Sequence, residues 1–381
     1  MNDRRAAMAK KAEKIVLCMV LSLLFASSSC ITGNDHMENN ALKLLKRSEK
    51  KFNETYAGKE IDLSHMDMSG MTLKKAILAN ADMQNTILTK TKFIRCDLTG
   101  ANLAGAHMDR TRFENSTLEK INISKASLEK VHFRLSSIEE SDMHESTFNE
   151  CEFYKCDLSG SNLSKTTFVK GYFYKSEVQG CNIKESSITD IVINDTNFIR
   201  SDLTDSRVQG LIKESSYFAR TTLVRADFSN TAFRGRLWSA PDFREANATD
   251  AKFRKCDMQG VSMMHVNLEN ADFTDTYLEL VEMSTGNLKN TNFSRCFFRD
   301  CNIGDATLEN TNFTNTRFVG FLQATDAKFI NANFTDAKGN IEEPILKNTI
   351  YEKTGLPIGT FVIINDEDMK HIVKPEKKDE Q

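Results

Sequence analysis

Cys96, Cys151, Cys156, Cys181, Cys256, Cys296 and Cys301, with Cys18 and Cys30 near the amino end, offer the most versatile chemistry in this 381-residue chain. Cysteines in such numbers build disulfides in an exported protein, and hold metal or act as nucleophiles in a reducing compartment. All seven later ones, however, fall on the same residue in a count of five, and no two are twenty apart. They are expected to be small, buried core residues. His36, His65, His107, His132, His144, His265 and His371 follow no spacing that gathers metal ligands on one face. No P-loop, G-x-S-x-G elbow or G-x-G-x-x-G run occurs. A catalyst, a cofactor and a metal are therefore not expected.

Two charged stretches could do binding chemistry. From Arg220 to Lys255 eight basic residues face four acidic ones, and Arg234, Arg236, Trp238, Arg244 and Arg254 form a candidate anion or partner patch. Glu139, Glu140, Asp142, Glu145, Glu150 and Glu152 have no lysine or arginine among them and form a candidate acidic docking patch. The alternative for both is a solvated surface. In the basic stretch, Arg234 and Arg254 would then stack over Glu214 as a surface charge ladder of little energetic weight.

What must position these residues is a period of five. From Leu63 to Phe318 there are 52 positions five apart, and 50 hold Leu, Ile, Val, Met, Phe or Trp; only Lys213 and Ala248 fail. Neither a helix nor a strand keeps such a stripe on one face, so the chain must turn in space at each repeat. Two residues before each centre stands a small residue, and one before it often Asp or Asn. Units such as Ala101-Asn102-Leu103, Ala226-Asp227-Phe228 and Ala271-Asp272-Phe273 resemble the pentapeptide-repeat family. The resemblance covers about 270 residues. It implies an all-β fold, a right-handed quadrilateral parallel β-helix of about 13 to 14 coils, with four pentads to each coil.

Sorting the centres into four faces supports that coil. One face reads Leu73, Phe93, Phe113, Phe133, Phe153, Phe173, Ile193, Lys213, Phe233, Phe253, Phe273, Phe293 and Phe313, so ten of its thirteen members are phenylalanine. Two stacked ladders of five rings are predicted, Phe93 to Phe173 and Phe233 to Phe313, at the strand spacing of about 4.8 Å. Two irregularities interrupt the pattern. Lys213 occupies a core slot and is expected to be turned outward by a bulge, because a buried unpaired ammonium costs several kcal/mol. Arg236 and Pro241 take small inward positions.

The organisation follows as residues 1–29, a signal peptide; 30–60, a linker and helical cap, with a short amphipathic helix over 39–51; 61–340, the β-helix; and 341–381, a closing segment and charged tail. Arg4, Arg5, Lys10, Lys11 and Lys14 precede an apolar run from Ile15 to Ala26, as in an export signal. That run is short of the roughly twenty residues that span a bilayer. Ser27-Ser28-Ser29-Cys30 resembles the lipobox of bacterial lipoproteins, which implies lipid attachment at Cys30; cleavage into a periplasm, and a retained anchor or no export, are the alternatives. Without residues 1–29 the chain has 45 basic and 51 acidic residues, a mild net −6.

The expected function is an exported, membrane-anchored, non-catalytic binding or scaffold protein of a bacterium, a membrane lipoprotein or periplasmic. Its faces would meet a protein partner that the sequence does not identify. Some family members mimic DNA and bind topoisomerases. With 33 basic and 37 acidic residues over 61–340, this chain lacks the required field, and no nucleic acid is expected as a partner. Self-assembly, including an end-to-end homodimer, is the remaining alternative.

Overall fold

The computed structural model describes residues 40–235, 239–339 and 350–352. Each pentad of the solenoid supplies one short side and one corner. Centres such as Leu103, Phe113 and Phe153 are fully buried, as are the small residues Ala101, Ala106 and Thr111 two places before a centre. The residue two after each centre turns the corner in the left-handed region, with φ of 57° at Asn80, 53° at Arg110 and 59° at Asp205. Asn, Asp and Gly enter this region with least strain, which accounts for their frequency at the corners.

Hydrogen bonds run from coil to coil. The Leu98 N–H donates to the Thr117 carbonyl at 2.8 Å, and the Thr117 N–H to the Cys96 carbonyl at 3.0 Å. Phe93 lies in parallel register with Phe113, Phe113 with Phe133, and Phe133 with Phe153. Residues twenty apart are thus neighbours, four pentads close one coil, and about 13 coils form a parallel β-solenoid. Small hydroxyl residues bind the layers from inside, as where Ser146 Oγ donates to the Ile123 carbonyl at 2.6 Å and Thr111 Oγ1 to that of Leu88 at 2.6 Å. Cysteines copy this role: Cys181 Sγ lies 3.0 Å from the Leu158 carbonyl and Cys296 Sγ 2.9 Å from that of Phe273.

The first coil is closed by two helices, α1 (Asn40–Arg47) and α2 (Glu49–Tyr56). The single helix expected over 39–51 is divided at Ser48, whose side chain caps α2 by accepting from the Lys51 N–H at 3.3 Å. Glu49 Oε1 and Asn53 Oδ1 accept from the N–H groups of Lys74 and Ile77, and Asn53 donates to the Lys75 carbonyl. Phe52 is fully buried beneath. The helix thereby supplies the partners that the open sheet edge lacks.

The expected ladder from Phe93 to Phe173 is present, with ring centres 4.7–5.1 Å apart and planes within 9°. The second ladder differs. One coil contains a fifth pentad: Tyr217 pairs with Asp242, Asp227 with Lys252 and Phe233 with Met258, each twenty-five residues on. Every later face is shifted by one pentad. Phe233 is therefore 6.5 Å from Phe253 and tilted by 54°, while Phe253 stacks on Phe228 at 5.3 Å. The ladder continues through Phe273, Phe293 and Phe313 to Phe334, on the face that also holds the stacked pair Phe148 and Phe168.

The extra pentad falls between Gly235 and Ala240, which lie against each other. A Cβ on Gly235 would come within 2.3 Å of Ala240 Cα, so glycine lets the two ends meet. Pro241 is buried. At Lys213 the bulge is as expected. Ile193 pairs with Ile212, nineteen residues on; Ile212 fills the core and Lys213 is exposed. Near the carboxyl end one added residue, beside Gly320 at φ 73°, gives twenty-one between Leu308 and Phe329.

Candidate functional site

Consecutive pentads look in different directions, and pentads four apart share a face. Like charges close in sequence therefore encircle the solenoid, whereas like charges twenty residues apart make a patch. This rule reorders the candidate residues.

Five arginines of the basic stretch from Arg220 to Lys255 are paired with carboxylates. Arg234 bonds to Asp257, Arg244 holds Asp242 at 2.8–3.0 Å, and Arg254 holds Asp272 at 2.5 Å. Arg220 grips Glu245 at 2.9 and 3.1 Å, and Arg225 grips Asp205 at 2.6 and 2.7 Å. The hydrogen bonds and charge of Arg225 hold the Asp205 carboxyl below its ordinary range. Arg254 does not stack over Arg234 as the twenty-residue frame predicted, because the extra pentad shifts Arg254 onto the next face and Arg234 pairs in register with Gln259, twenty-five residues on. Arg236 and Trp238 lie outside the described residues, as do residues 1–29 and Cys30. From Ala240 onward runs an open groove of about 720 Å³, lined among others by Tyr217, Asp242, Arg244, Leu280 and Glu282.

The acidic run is dispersed in the same way. Glu139 and Glu140 follow the centre Ile138, Asp142 and Glu145 flank Met143, Glu150 follows Phe148, and Glu152 precedes Phe153, so the six carboxylates are spread around one coil. Glu140 is 3.5 Å from Lys120, Glu150 is 3.6 Å from Lys130, Glu152 is 2.7 Å from His132, and Asp142 is 2.7 Å from His144.

A coherent patch stands where a linear reading sees none, on the face with centres Leu73, Phe93, Phe113, Phe133, Phe153 and Phe173. Its flat surface shows Lys74, Lys92, Arg112 and Arg134. One corner column carries Lys90, Arg110, Lys130 and Lys170, and the other Lys75, Arg95, Lys155 and Lys175. Over these six rungs twelve cations meet three carboxylates, Glu114, Glu150 and Glu152. Lys90, Lys92, Arg95, Arg112 and Lys170 make no ion pair among the described residues. At the Phe153 and Phe173 rungs the surface is aromatic. Tyr154 stacks on Tyr174 at 5.4 Å, Tyr172 lies 5.8 Å from Tyr174, Arg134 sits 5.1 Å from the Tyr154 ring centre, and Lys175 sits 5.4 Å from that of Tyr174. One rung earlier, after Phe133, the corner residue Leu135 is half exposed with φ 52°.

The next face, with centres Leu78 to Val178, shares the corner column of Lys75, Arg95, Lys155 and Lys175, but its flat surface has the opposite sign: Asp97, Glu119, Glu139, Asp157 and Glu177 stand on it and no lysine or arginine does. The two offset each other in a total, and a count of charge at twenty-residue spacing is the signal that separates them.

The thiols are not poised to react. Burial, the largest influence, pushes Cys151 and Cys181 up to about 12 and Cys156 up to about 11. Among the described residues no group of three or more His, Cys, Asp or Glu could hold a metal ion.

The family models for a pentapeptide repeat region and for pentapeptide repeats in eight copies match residues 63–163 and 242–279 with 287–320. No curated protein matches the chain in sequence. Among solved structures, HetL, a pentapeptide-repeat protein involved in heterocyst differentiation regulation in the cyanobacterium Nostoc, is 17 % identical over 83 % of this chain and 99 % of its own, with a TM-score of 0.21. QnrB1, a plasmid-mediated fluoroquinolone resistance protein, is 16 % identical over 54 % of this chain and 93 % of its own, at 0.23. The periplasmic alginate epimerase AlgG is 9 % identical over 84 % and 90 %, at 0.30. At these scores none carries an argument about activity or partners. The matched segments keep the five-residue frame that builds the coils, and the chain belongs to the pentapeptide-repeat family.

Proposed function

We infer that the protein is an exported, membrane-anchored scaffold that binds a protein partner through the faces of its solenoid and performs no catalysis. Proteins of this family are typically structural or interaction proteins, and no catalytic family is indicated. The observation that carries the reading is the segregation of charge onto adjacent faces, twelve cations on one and a line of carboxylates on the next. Charge held apart in this way orients a partner and sets its register more than it adds affinity. Export and anchoring are supported by the basic and apolar leader and by Cys30 after three serines.

Fatty-acid labelling tests the anchor: wild type takes up label and Cys30→Ala does not, and equal labelling of the two would refute lipidation. Crosslinking from the acidic face in intact envelopes tests the scaffold, with a discrete partner lost on replacing Glu119, Glu139 and Asp157 by the corresponding amides. The same adduct from the variant would refute use of that face.

A further inference from the structure

The basic, tyrosine-bearing face does more than balance the acidic one. We propose that this face, from Lys74 to Lys175, is a membrane-apposition surface that lies flat on an anionic lipid bilayer.

The arrangement of the cations favours a plane over a strand or a groove. They occupy both corner columns and the sheet between them, so the positive charge is two-dimensional. Within a column, Lys90, Arg110 and Lys130 follow one another at the strand spacing of about 4.8 Å. Stacked like charges repel, and although Arg110 pairs with Asp109 and Lys130 with Glu129 and Glu150, Lys90, Lys92, Arg95, Arg112 and Lys170 make no ion pair among the described residues. A surface of regularly spaced anionic headgroups supplies the missing counter-charge.

The apolar members separate a bilayer from a soluble polyanion. Leu135 is half exposed in a left-handed corner that its neighbours along the column fill with Asn115 and Lys155. Tyr154, Tyr172 and Tyr174 are half-buried on the next two rungs of the same face. Tyrosines flanked by lysine and arginine, with a projecting leucine, suit the headgroup boundary, where one end of a side chain is apolar and the other wet. A polyanion in water gives Leu135 nothing. The face also lies toward the amino end of the solenoid, and Cys30 precedes Asn40 by ten residues, a reach of at most about 35 Å. A lipid on Cys30 would keep this half of the solenoid at the bilayer.

The proposal rests in part on the anchored reading, and the two are separable because the vesicle test uses full-length Cys30→Ser chain, which has no lipid at residue 30. Co-sedimentation with phosphatidylglycerol-containing vesicles is expected, falling steeply with salt and with purely zwitterionic vesicles. Replacing Lys90, Lys92, Arg110 and Arg112 by glutamine is expected to weaken binding on the order of a hundredfold. Replacing the paired Arg220, Arg225, Arg295 and Arg299 by glutamine changes net charge equally and is expected to have far less effect. Leu135→Asn suits the corner and is expected to weaken binding several-fold with the fold intact. Equal weakening by both quadruple variants overturns the proposal. So does tight binding to heparin or single-stranded DNA that outcompetes vesicles and ignores Leu135→Asn, or a wild-type dimer that the face variant abolishes.

Discussion

Phe228 and Phe253 stack at 5.3 Å with planes 7° apart although twenty-five residues, not twenty, separate them. The ladder is unbroken because Ala240 lies against Gly235, so the pentad added between them leaves the next coil in place. Deleting residues 236–240 should rejoin Gly235 to Pro241 and restore the twenty-residue coil. The cost includes the hydrogen bond from the Ser215 N–H to the Ser239 carbonyl, about 1 kcal/mol. A cooperative thermal transition within roughly 5 °C of wild type is expected. A chain that no longer unfolds cooperatively would show that the coils depend on the added pentad.

Ser216 is the second consequence of an interruption. Its Oγ is buried without a hydrogen-bond partner among the described residues. Other serines of its class donate to the centre twenty-three residues before, as Ser186 does to Leu163 at 2.7 Å. For Ser216 that carbonyl belongs to Ile193, at the bulge, where it accepts from the Lys213 N–H at 2.8 Å and not from Ser216. Ser216→Ala should therefore raise stability by about 1 kcal/mol, measured by denaturant unfolding. The same replacement at Ser186 should lower it, and a loss at both positions would contradict the assignment.

The period of five and the inward direction of its centres were legible because burial is decided within each pentad. Lys213 betrayed its bulge for the same reason, since no ammonium fits a slot shared with Ile193. The phase of the faces was not, because an insertion of one whole pentad leaves the five-residue count unbroken and moves only the twenty-residue one. Grouping Phe233 with Phe253 was the resulting error. The binding surface was hidden by a related effect. Arg234, Arg244 and Arg254 are conspicuous in sequence yet paired in space, whereas Lys92 and Arg112 are inconspicuous in sequence yet adjacent and unpaired.

The buried cysteines set a pH dependence. Their ordinary value is 9.0, and burial raises Cys151, Cys256 and Cys301 to about 12 in the folded chain. The unfolded chain releases these protons first, so the stabilisation is complete below pH 9 and is lost as pH rises from 9 toward 12. Unfolding midpoints should fall across that window, and less so in a variant with these three cysteines replaced by alanine. Thiol labelling of native protein at pH 8 should leave all seven solenoid cysteines unmodified. Rapid labelling of any of them without unfolding would contradict the packing role.

Leu135 sets stability against function at one residue. A left-handed corner costs a branched, non-glycine residue about 1–2 kcal/mol, and asparagine relieves part of that through its own backbone hydrogen bonds. The column already accepts Asn115 at the preceding rung with φ 50°. Leu135→Asn should raise the unfolding free energy by about 1 kcal/mol while removing the apolar projection from the basic face. A more stable protein that binds vesicles less well is the signature of a residue kept for contact rather than for folding. If the variant is instead less stable, Leu135 packs on its own solenoid, and its exposure is incidental.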